Sequence, residues 1–394
     1  MLFFLTLLGW LIALFWLIHA SVVVHFLYYH RLKTIADSIP ELPHYPKLSI
    51  IVPARDEQQK IAQALNSLLA LDYPNFEVIA INDRSNDETG HIMEQLKLNS
   101  DKLKVLHIKS LPANWLGKTH AMHLAAKQAT GEYLLFTDGD VIYKSDALKH
   151  IMRVATHQKW QHLSLMPQLL TGDYWENSVT QFMALLFIMF LYPFRIANNK
   201  AKNYAGVGPF NLITRDCYYK IGGFAALSLE VVEDMELGRA VKQHGFSSQL
   251  LIAEDLVQFR WQEKVSGLIK GIEKNSFAAL DYSVFKLILL TLVLLLIVIM
   301  PYWAVYSLAF SHALGYVIAL LVLHGVLAIV GIRAKVGWSI SLALLFSFAV
   351  TLFAVWRSAL LALIQGGIYW RDTFYSLPVL KDAMTMRYKV YKRH

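Results

Sequence analysis

Residues 287–332 form a run of 46 residues without a single Lys, Arg, Asp or Glu, and a helix needs about 20 apolar residues to cross the hydrocarbon core of a bilayer. Two spans fit into that run, with a tight turn expected near Ser311, His312 and Gly315. Residues 2–30 are also free of charge and long enough for one span. No basic residue precedes this stretch and no small-residue cleavage site follows it, so it reads as a retained anchor rather than a cleaved signal peptide. Arg31 and Lys33 come next and, by the positive-inside tendency, place the following domain in the cytoplasm. A third apolar run, 338–364, carries only Arg357. Counting it as a span sends the tail outside, yet Arg371, Lys381, Arg387, Lys389, Lys392 and Arg393 belong on the cytoplasmic side. The expectation is therefore a cytoplasmic tail, with 338–364 lying partly in the interface or re-entering.

A composition that is 56% hydrophobic and 17% charged excludes a disordered chain and an ordinary soluble enzyme. The formal charge of +8 is compatible with a nucleic-acid partner, an anionic membrane or a polyphosphate substrate. Beside three apolar runs the membrane reading is preferred, and no nucleic acid is expected. The lone Cys217 excludes an internal disulfide and any multi-cysteine metal cluster.

Between about 46 and 255 short apolar runs alternate with helical periodicity, the pattern of a sheet flanked by helices, so this part reads as α/β. Strands are expected at 48–52, 78–81, 104–108 and 133–137, and a helical stripe at Ile61, Ala64, Leu65, Leu68 and Leu69. In open α/β sheets the ligand lies beyond the carboxyl ends of the strands. Three of these ends are acidic: Pro-Ala-Arg-Asp-Glu at 53–57, Asn-Asp-Arg-Ser-Asn-Asp-Glu-Thr at 82–89 and Thr-Asp-Gly-Asp at 137–140. One such end is explained by aspartate capping a turn; three convergent ends call for a ligand. Asp138 and Asp140 flank a glycine and offer hard oxygens suited to Mg2+ or Mn2+, which complete their shell with substrate phosphates. Lys118, in Gly-Lys-Thr-His-Ala at 117–121, stands near a helix start where it would contact a phosphate; the alternative is a solvated surface lysine. The glycine spacing of a P-loop is missing. His120 and His123 lack a third ligand, so zinc is not expected.

In this order the motifs resemble the family 2 glycosyltransferases with the GT-A fold, over roughly 47–261. Ser-Ile-Ile-Val-Pro-Ala-Arg-Asp-Glu is similar to the family's opening strand, and Glu-Asp-Met-Glu-Leu-Gly at 233–238 to its Glu-Asp catalytic motif. The resemblance implies that Pro53, Ala54, Arg55, Glu57 and Asp83 line the nucleotide pocket, with Asp83 on the base. It implies that Asp138 faces the ribose or metal, that Asp140 binds the metal bridging the diphosphate, and that Asp234, beside Glu233, is the general base of an inverting transfer. Without the earlier motifs, Glu233 and Asp234 are simply acids favoured at a helix start.

Gln-Phe-Arg-Trp at 258–261 resembles the family's Gln-x-x-Arg-Trp motif but is one residue short, so Arg260 and Trp261 either contact the diphosphate and acceptor or anchor the chain at the membrane. Residues 182–194 form an uncharged run of 13 residues, interfacial or buried rather than spanning. Residues 206–215 and 221–224 resemble the family's acceptor-side loop. Val265, Leu268, Ile269 and Ile272 oppose Lys264, Lys270 and Lys274, as in a helix lying on an anionic leaflet. Residues 369–377 resemble the ending of bacterial lipid-directed members related to carotenoid and hopanoid glycosyltransferases, with Asp372 in place of a glycine.

The expected organisation is an anchor at 1–30, a cytoplasmic GT-A domain at 46–262, an amphipathic helix at 263–284, a transmembrane region at 285–364 and a basic tail at 365–394. The expected activity is transfer of one sugar from a nucleotide diphosphate sugar, with UDP the expected nucleotide, to a membrane lipid. The competing readings are a processive polysaccharide synthase with an export channel, and a catalytically silent membrane scaffold.

Overall fold

A computed structural model of the chain describes residues 1–170 and 172–391. It contains two compact units: Met1–Tyr29, Thr171–Tyr192 and Trp261–Pro378 form one, and His30–Leu170, Pro193–Arg260 and Val379–His394 the other.

The second unit is built on an eight-stranded sheet. In chain order its strands are β1 Leu48–Ala54, β2 Phe76–Asp83, β3 Leu103–Ile108, β4 Tyr133–Phe136, β5 Ile142–Tyr143, β6 His162–Leu169, β7 Asn211–Thr214 and β8 Ser248–Phe259. Their order in space is β3-β2-β1-β4-β7-β6-β8-β5. The pairs β1/β2, β2/β3, β1/β4 and β6/β8 are parallel, while β7 runs antiparallel to both β4 and β6. The four expected strands are all present, with ends shifted by at most two residues.

Every residue of β1 is buried, as in a parallel strand covered on both faces. Leu48, Ile50 and Val52 enter one core with Ile61, Leu65 and Leu68 of the helix Ile61–Leu69. Ile51 faces the other way, into a second core with Ala121, Met122, Ala125 and Ala126 of the helix Gly117–Gln128. The chain winds outward from β1 through β2 to β3, then returns to place β4 on the other side of β1. That reversal opens a crevice at the carboxyl ends of β1, β2 and β4, where all three acidic segments lie. The α/β GT-A-like sheet is the fold the sequence pattern predicts.

The first unit holds long apolar helices. Among the described residues five are long and apolar enough to cross a membrane: Leu2–Tyr29, Tyr174–Arg195, Val284–Ser307, Phe310–Arg333 and Trp338–Ile364. The second exceeds the 13-residue run seen in the sequence, because it starts at Asp173, whose side chain accepts the Glu176 N–H at 2.8 Å. Length alone does not make it a span. β6 precedes it and β7 follows it, and both belong to one sheet with Leu163 opposite Leu212. A crossing helix would leave its two flanks on opposite sides of the bilayer, so this helix does not traverse it.

The turn expected near Ser311, His312 and Gly315 falls earlier, at the extended residues Leu308 and Ala309. Gly315 lies inside the helix Phe310–Arg333, where a Cβ would come within 2.6 Å of the Gly9 backbone. Here a pair of glycines lets two helices approach closely instead of turning the chain. Nearby, the Tyr316 hydroxyl donates to the Leu5 carbonyl at 2.8 Å, and the Trp16 indole donates to the Ile297 carbonyl at 2.9 Å. Arg357 is paired: its Nε donates to Glu273 Oε2 at 2.6 Å. The helix Lys264–Ala279 packs on Leu344–Ile364, with the Phe277 N–H donating to Ser358 Oγ at 3.1 Å.

Candidate active site

The β1 and β2 ends are laced together. Asp56, at φ 54°, donates its N–H to Ser85 Oγ at 3.1 Å, and its Oδ1 accepts the Asn86 N–H at 2.8 Å. The Glu57 N–H donates to Thr89 Oγ1 at 2.8 Å, and the Glu57 carbonyl accepts the Ile61 N–H at 2.9 Å, starting the next helix. Arg55 is buried with its Nε 3.6 Å from Asp56 Oδ2. Pro53 and Ala54 are the buried last residues of β1. Asp83, buried at the end of β2, is clasped by the neighbouring Arg84 guanidinium at 2.7 and 3.1 Å. Gly117 lets the following helix start against this pair, since a Cβ there would lie 2.2 Å from Asp83 Oδ2.

Past β4 the acids converge on one cavity, lined by Lys118, Met122, Phe136, Thr137, Asp138, Gly208, Asn211, Phe224, Glu233 and Asp234. Lys118 Nζ stands 2.7 Å from Asp138 Oδ1 and 2.8 Å from Glu233 Oε1. Burial pulls its pKa down, but Asp138 and Glu233 outweigh burial and hold it well above the ordinary lysine value. The lysine expected to meet a phosphate thus bridges two carboxylates from distant parts of the chain.

Asp234 opens the helix Glu233–Gln243, and both of its oxygens are engaged: Oδ2 accepts the Gly208 N–H and Oδ1 the Met235 N–H, each at 2.8 Å. Burial pushes its carboxyl up from 3.8 to about 7, reinforced by Glu233 and opposed by Lys118. The loop 206–210 must be backbone-thin to reach it, since a Cβ on Gly206 would lie 1.7 Å from the Asp234 carbonyl oxygen. The same loop is tied to the Asp-Gly-Asp turn, where Thr137 Oγ1 donates to the Pro209 carbonyl at 2.8 Å and itself accepts from the Tyr143 hydroxyl at 2.9 Å. These backbone contacts were not foreseen; their one trace in the sequence is the pair of glycines at 206 and 208.

Among the described residues no three His, Cys, Asp or Glu side chains gather as a metal site. Asp138 and Asp140 nonetheless fit a divalent cation. They offer oxygens from one turn, and burial together with Asp138 holds the Asp140 carboxyl above its ordinary range despite Lys60 Nζ at 3.4 Å. A cation would relieve that cost, and two carboxylates plus substrate phosphates are a sufficient shell for Mg2+. Arg260 and Trp261 are not among the cavity's lining residues. Arg260 follows the last residue of β8, and Trp261 lies within the helical unit, where a Cβ on Gly271 would be 3.5 Å from its indole.

At the strand ends of this GT-A-like sheet, an Asp-Gly-Asp turn, a lysine held between two carboxylates and a carboxylate raised toward neutral pH come together. Residues 49–222 match the family Glycosyl transferase family 2, so this part of the chain is similar to that family. It is 26% identical over 249 residues to the 4,4'-diaponeurosporenoate glycosyltransferase of Staphylococcus aureus strain N315, a match covering 62% of this chain and 64% of the relative. The corresponding protein of strain USA300 is 26% identical over 235 residues, covering 59% of this chain and 61% of the relative. The chain thus matches less than two thirds of these relatives' own length. Among solved structures it is similar to a mannosyltransferase from Pyrobaculum calidifontis in complex with GDP-Man and Mn2+, at a TM-score of 0.49 and 14% identity over 93% of this chain and 100% of that one. TarS 1-349 of S. aureus in complex with UDP-GlcNAc aligns at a TM-score of 0.40 and 16% identity, covering 84% and 98% respectively.

Proposed function

We propose that the chain is an inverting glycosyltransferase that moves a single sugar from a nucleotide diphosphate sugar to a membrane lipid at the cytoplasmic face. The observation that carries this reading is Asp234, a carboxylate raised to about 7 and fixed by two backbone N–H groups at 2.8 Å. An acceptor hydroxyl must lose its proton as it attacks the anomeric carbon, and a positioned base whose pKa lies near the working pH suits that step best. Direct attack with one base inverts the anomeric centre. Pro53, Ala54, Arg55, Glu57 and Asp83 would hold the nucleotide at the β1 and β2 ends. Lys118, already between Asp138 and Glu233, places positive charge where the departing diphosphate gains negative charge. Asp138 and Asp140 would hold Mg2+ or Mn2+, which when bound screens the diphosphate charge as the glycosidic bond breaks.

A lipid acceptor is supported by the apolar helices, and by the relatives' name, which gives 4,4'-diaponeurosporenoate as what they act on. The cytoplasmic placement rests on Arg31 and Lys33 after the first helix. From Val379 on, the tail helix Leu377–Tyr391 belongs to the sheet-bearing unit, with Arg387 paired to Glu230. An even number of crossings between 283 and 379 is therefore required. Two spans, Val284–Ser307 and Phe310–Arg333, meet it, which leaves Trp338–Ile364 re-entrant or interfacial.

The test is Asp234→Asn in the full chain. Turnover is expected to disappear while binding of the nucleotide sugar persists; normal turnover would eliminate the base role.

A further inference from the structure

We propose that Arg387, on the C-terminal helix Leu377–Tyr391, is a positioning residue for the helix that carries Asp234, an inference that rests on the base reading above. Arg387 lies near the end of a tail whose basic residues the sequence assigns to the cytoplasmic side, where an exposed guanidinium would stay in contact with water. Instead it is only 8% exposed. Its Nη1 pairs with Glu230 Oε2, and its Nε lies 3.3 Å from Glu236 Oε2.

Those two acids bracket Glu233 and Asp234. Glu230 Oε1 accepts the N–H of Val232 at 3.3 Å, the residue that precedes the helix and gives it no side-chain cap. Glu236 Oε1 accepts from Arg239 Nη1 at 3.3 Å, and Arg239 lies over the Tyr204 ring at 5.5 Å. The first turn holds three acids, Glu233, Asp234 and Glu236. A helix N-terminus favours negative charge, but crowded and largely buried carboxylates still need a counter-charge, because an unpaired buried charge costs far more than a paired one. Lys118 supplies it through Glu233; Arg387 supplies it through Glu230 and Glu236.

The planar fork of a guanidinium reaches the two acids with donors in fixed directions, whereas an ammonium, a point charge with rotatable donors, would hold them less rigidly. Removing it would free Glu230 from its arginine and loosen the residues that set the angle at which Asp234 enters the cavity. The nucleotide-holding residues on β1 and β2 belong to other elements. The expected signature is therefore a loss in the chemical step with donor binding spared.

The experiment uses the full chain in lipid nanodiscs, with UDP-glucose, UDP-GlcNAc and GDP-mannose as probes. Release of nucleoside diphosphate gives kcat and KM, and a donor titration counts binding sites. For Arg387→Ala, kcat per binding site should fall between about tenfold and a hundredfold, as for a displacement of about 1 Å at a reacting group, with the donor KM changed less than about twofold. Arg387→Lys keeps the charge without the fork and should lose about two- to fivefold in kcat. A wild-type kcat per site in Arg387→Lys overturns the proposal even if the alanine variant fails to fold. So does a loss confined to the number of sites, which is what a merely structural role predicts. Asp234→Asn, run in parallel, separates the two claims. If it still turns over, the base reading falls and this proposal with it; if it is inactive while both Arg387 variants match wild type, only the Arg387 proposal falls.

Discussion

Asp234→Asn has a second consequence, independent of any substrate. The carboxyl stands at 3.8 unfolded and about 7 folded. Between those values the folded chain binds more protons than the unfolded one, so stability falls as pH rises through the window and the loss is complete above the folded value. At about 1.4 kcal/mol per pKa unit, the ceiling is about 4 kcal/mol for the whole gap and about 2–3 kcal/mol from pH 5 to pH 7. Asparagine cannot titrate, so this slope disappears from the variant. It also cannot accept both N–H groups, and whichever of Gly208 and Met235 faces its NH2 loses an acceptor, at about 1–3 kcal/mol. That cost does not depend on pH, so the two effects separate. Thermal unfolding in nanodiscs at pH 5, 6, 7 and 8 should show the variant gaining on wild type as pH rises. At about 2–4 °C per kcal/mol, the midpoint of the variant minus that of wild type should rise by several degrees between about pH 5 and pH 7 and level off above about pH 7. Parallel midpoint curves across the range would refute the burial argument for Asp234.

Other perturbations follow from the same geometry. Lys118→Met strands the Asp138 and Glu233 carboxylates without their shared cation and should destabilise the sheet unit by about 3–5 kcal/mol, read as a drop in unfolding midpoint, with donor affinity reduced at least about tenfold. Gly206→Ala puts a methyl where the Asp234 carbonyl oxygen stands 1.7 Å away; turnover should fall about a hundredfold while far-UV circular dichroism is unchanged. On a Cys217→Ser background, Thr385→Cys should resist an impermeant thiol reagent in intact cells and react after permeabilisation. Labelling from outside would overturn the placement of the tail.

What the sequence disclosed was whatever is local. Short, mostly apolar runs at 48–54 and 76–83 mark strands buried on both faces, and acids just past each strand end mark the crevice whether or not the fold is in view. The contacts that tune the site are different in kind. The Arg387–Glu230 pair joins residues 157 positions apart, and no periodicity relates them. The Gly208 N–H that holds Asp234 is a backbone group that no side-chain pattern records. Gly315 reads equally as a turn former or a helix contact until Gly9 is placed beside it. The helix Tyr174–Leu191 was half hidden because its first turns carry Glu176, Asn177 and Gln181, which dilute the apolar signal.

These long-range contacts explain how one carboxylate can be kept ready as a base. A buried aspartate with nothing around it but apolar groups would be raised too far to ionise in a neutral cell. Full neutralisation by a paired cation would lower it too far to accept a proton. Lys118 avoids both extremes by binding Glu233 and Asp138 directly at 2.8 and 2.7 Å, so that Asp234 feels the lysine's field while its own oxygens bond only to backbone N–H groups of Gly208 and Met235. Arg387 and Arg239 take up Glu236 in the same way, sparing the first turn a further uncompensated charge. The cations therefore bond to the neighbours of the base, and Lys118 reaches the base itself only through its field. This indirect arrangement is why substituting Lys118 or Arg387 should disturb turnover out of proportion to any direct contact with substrate.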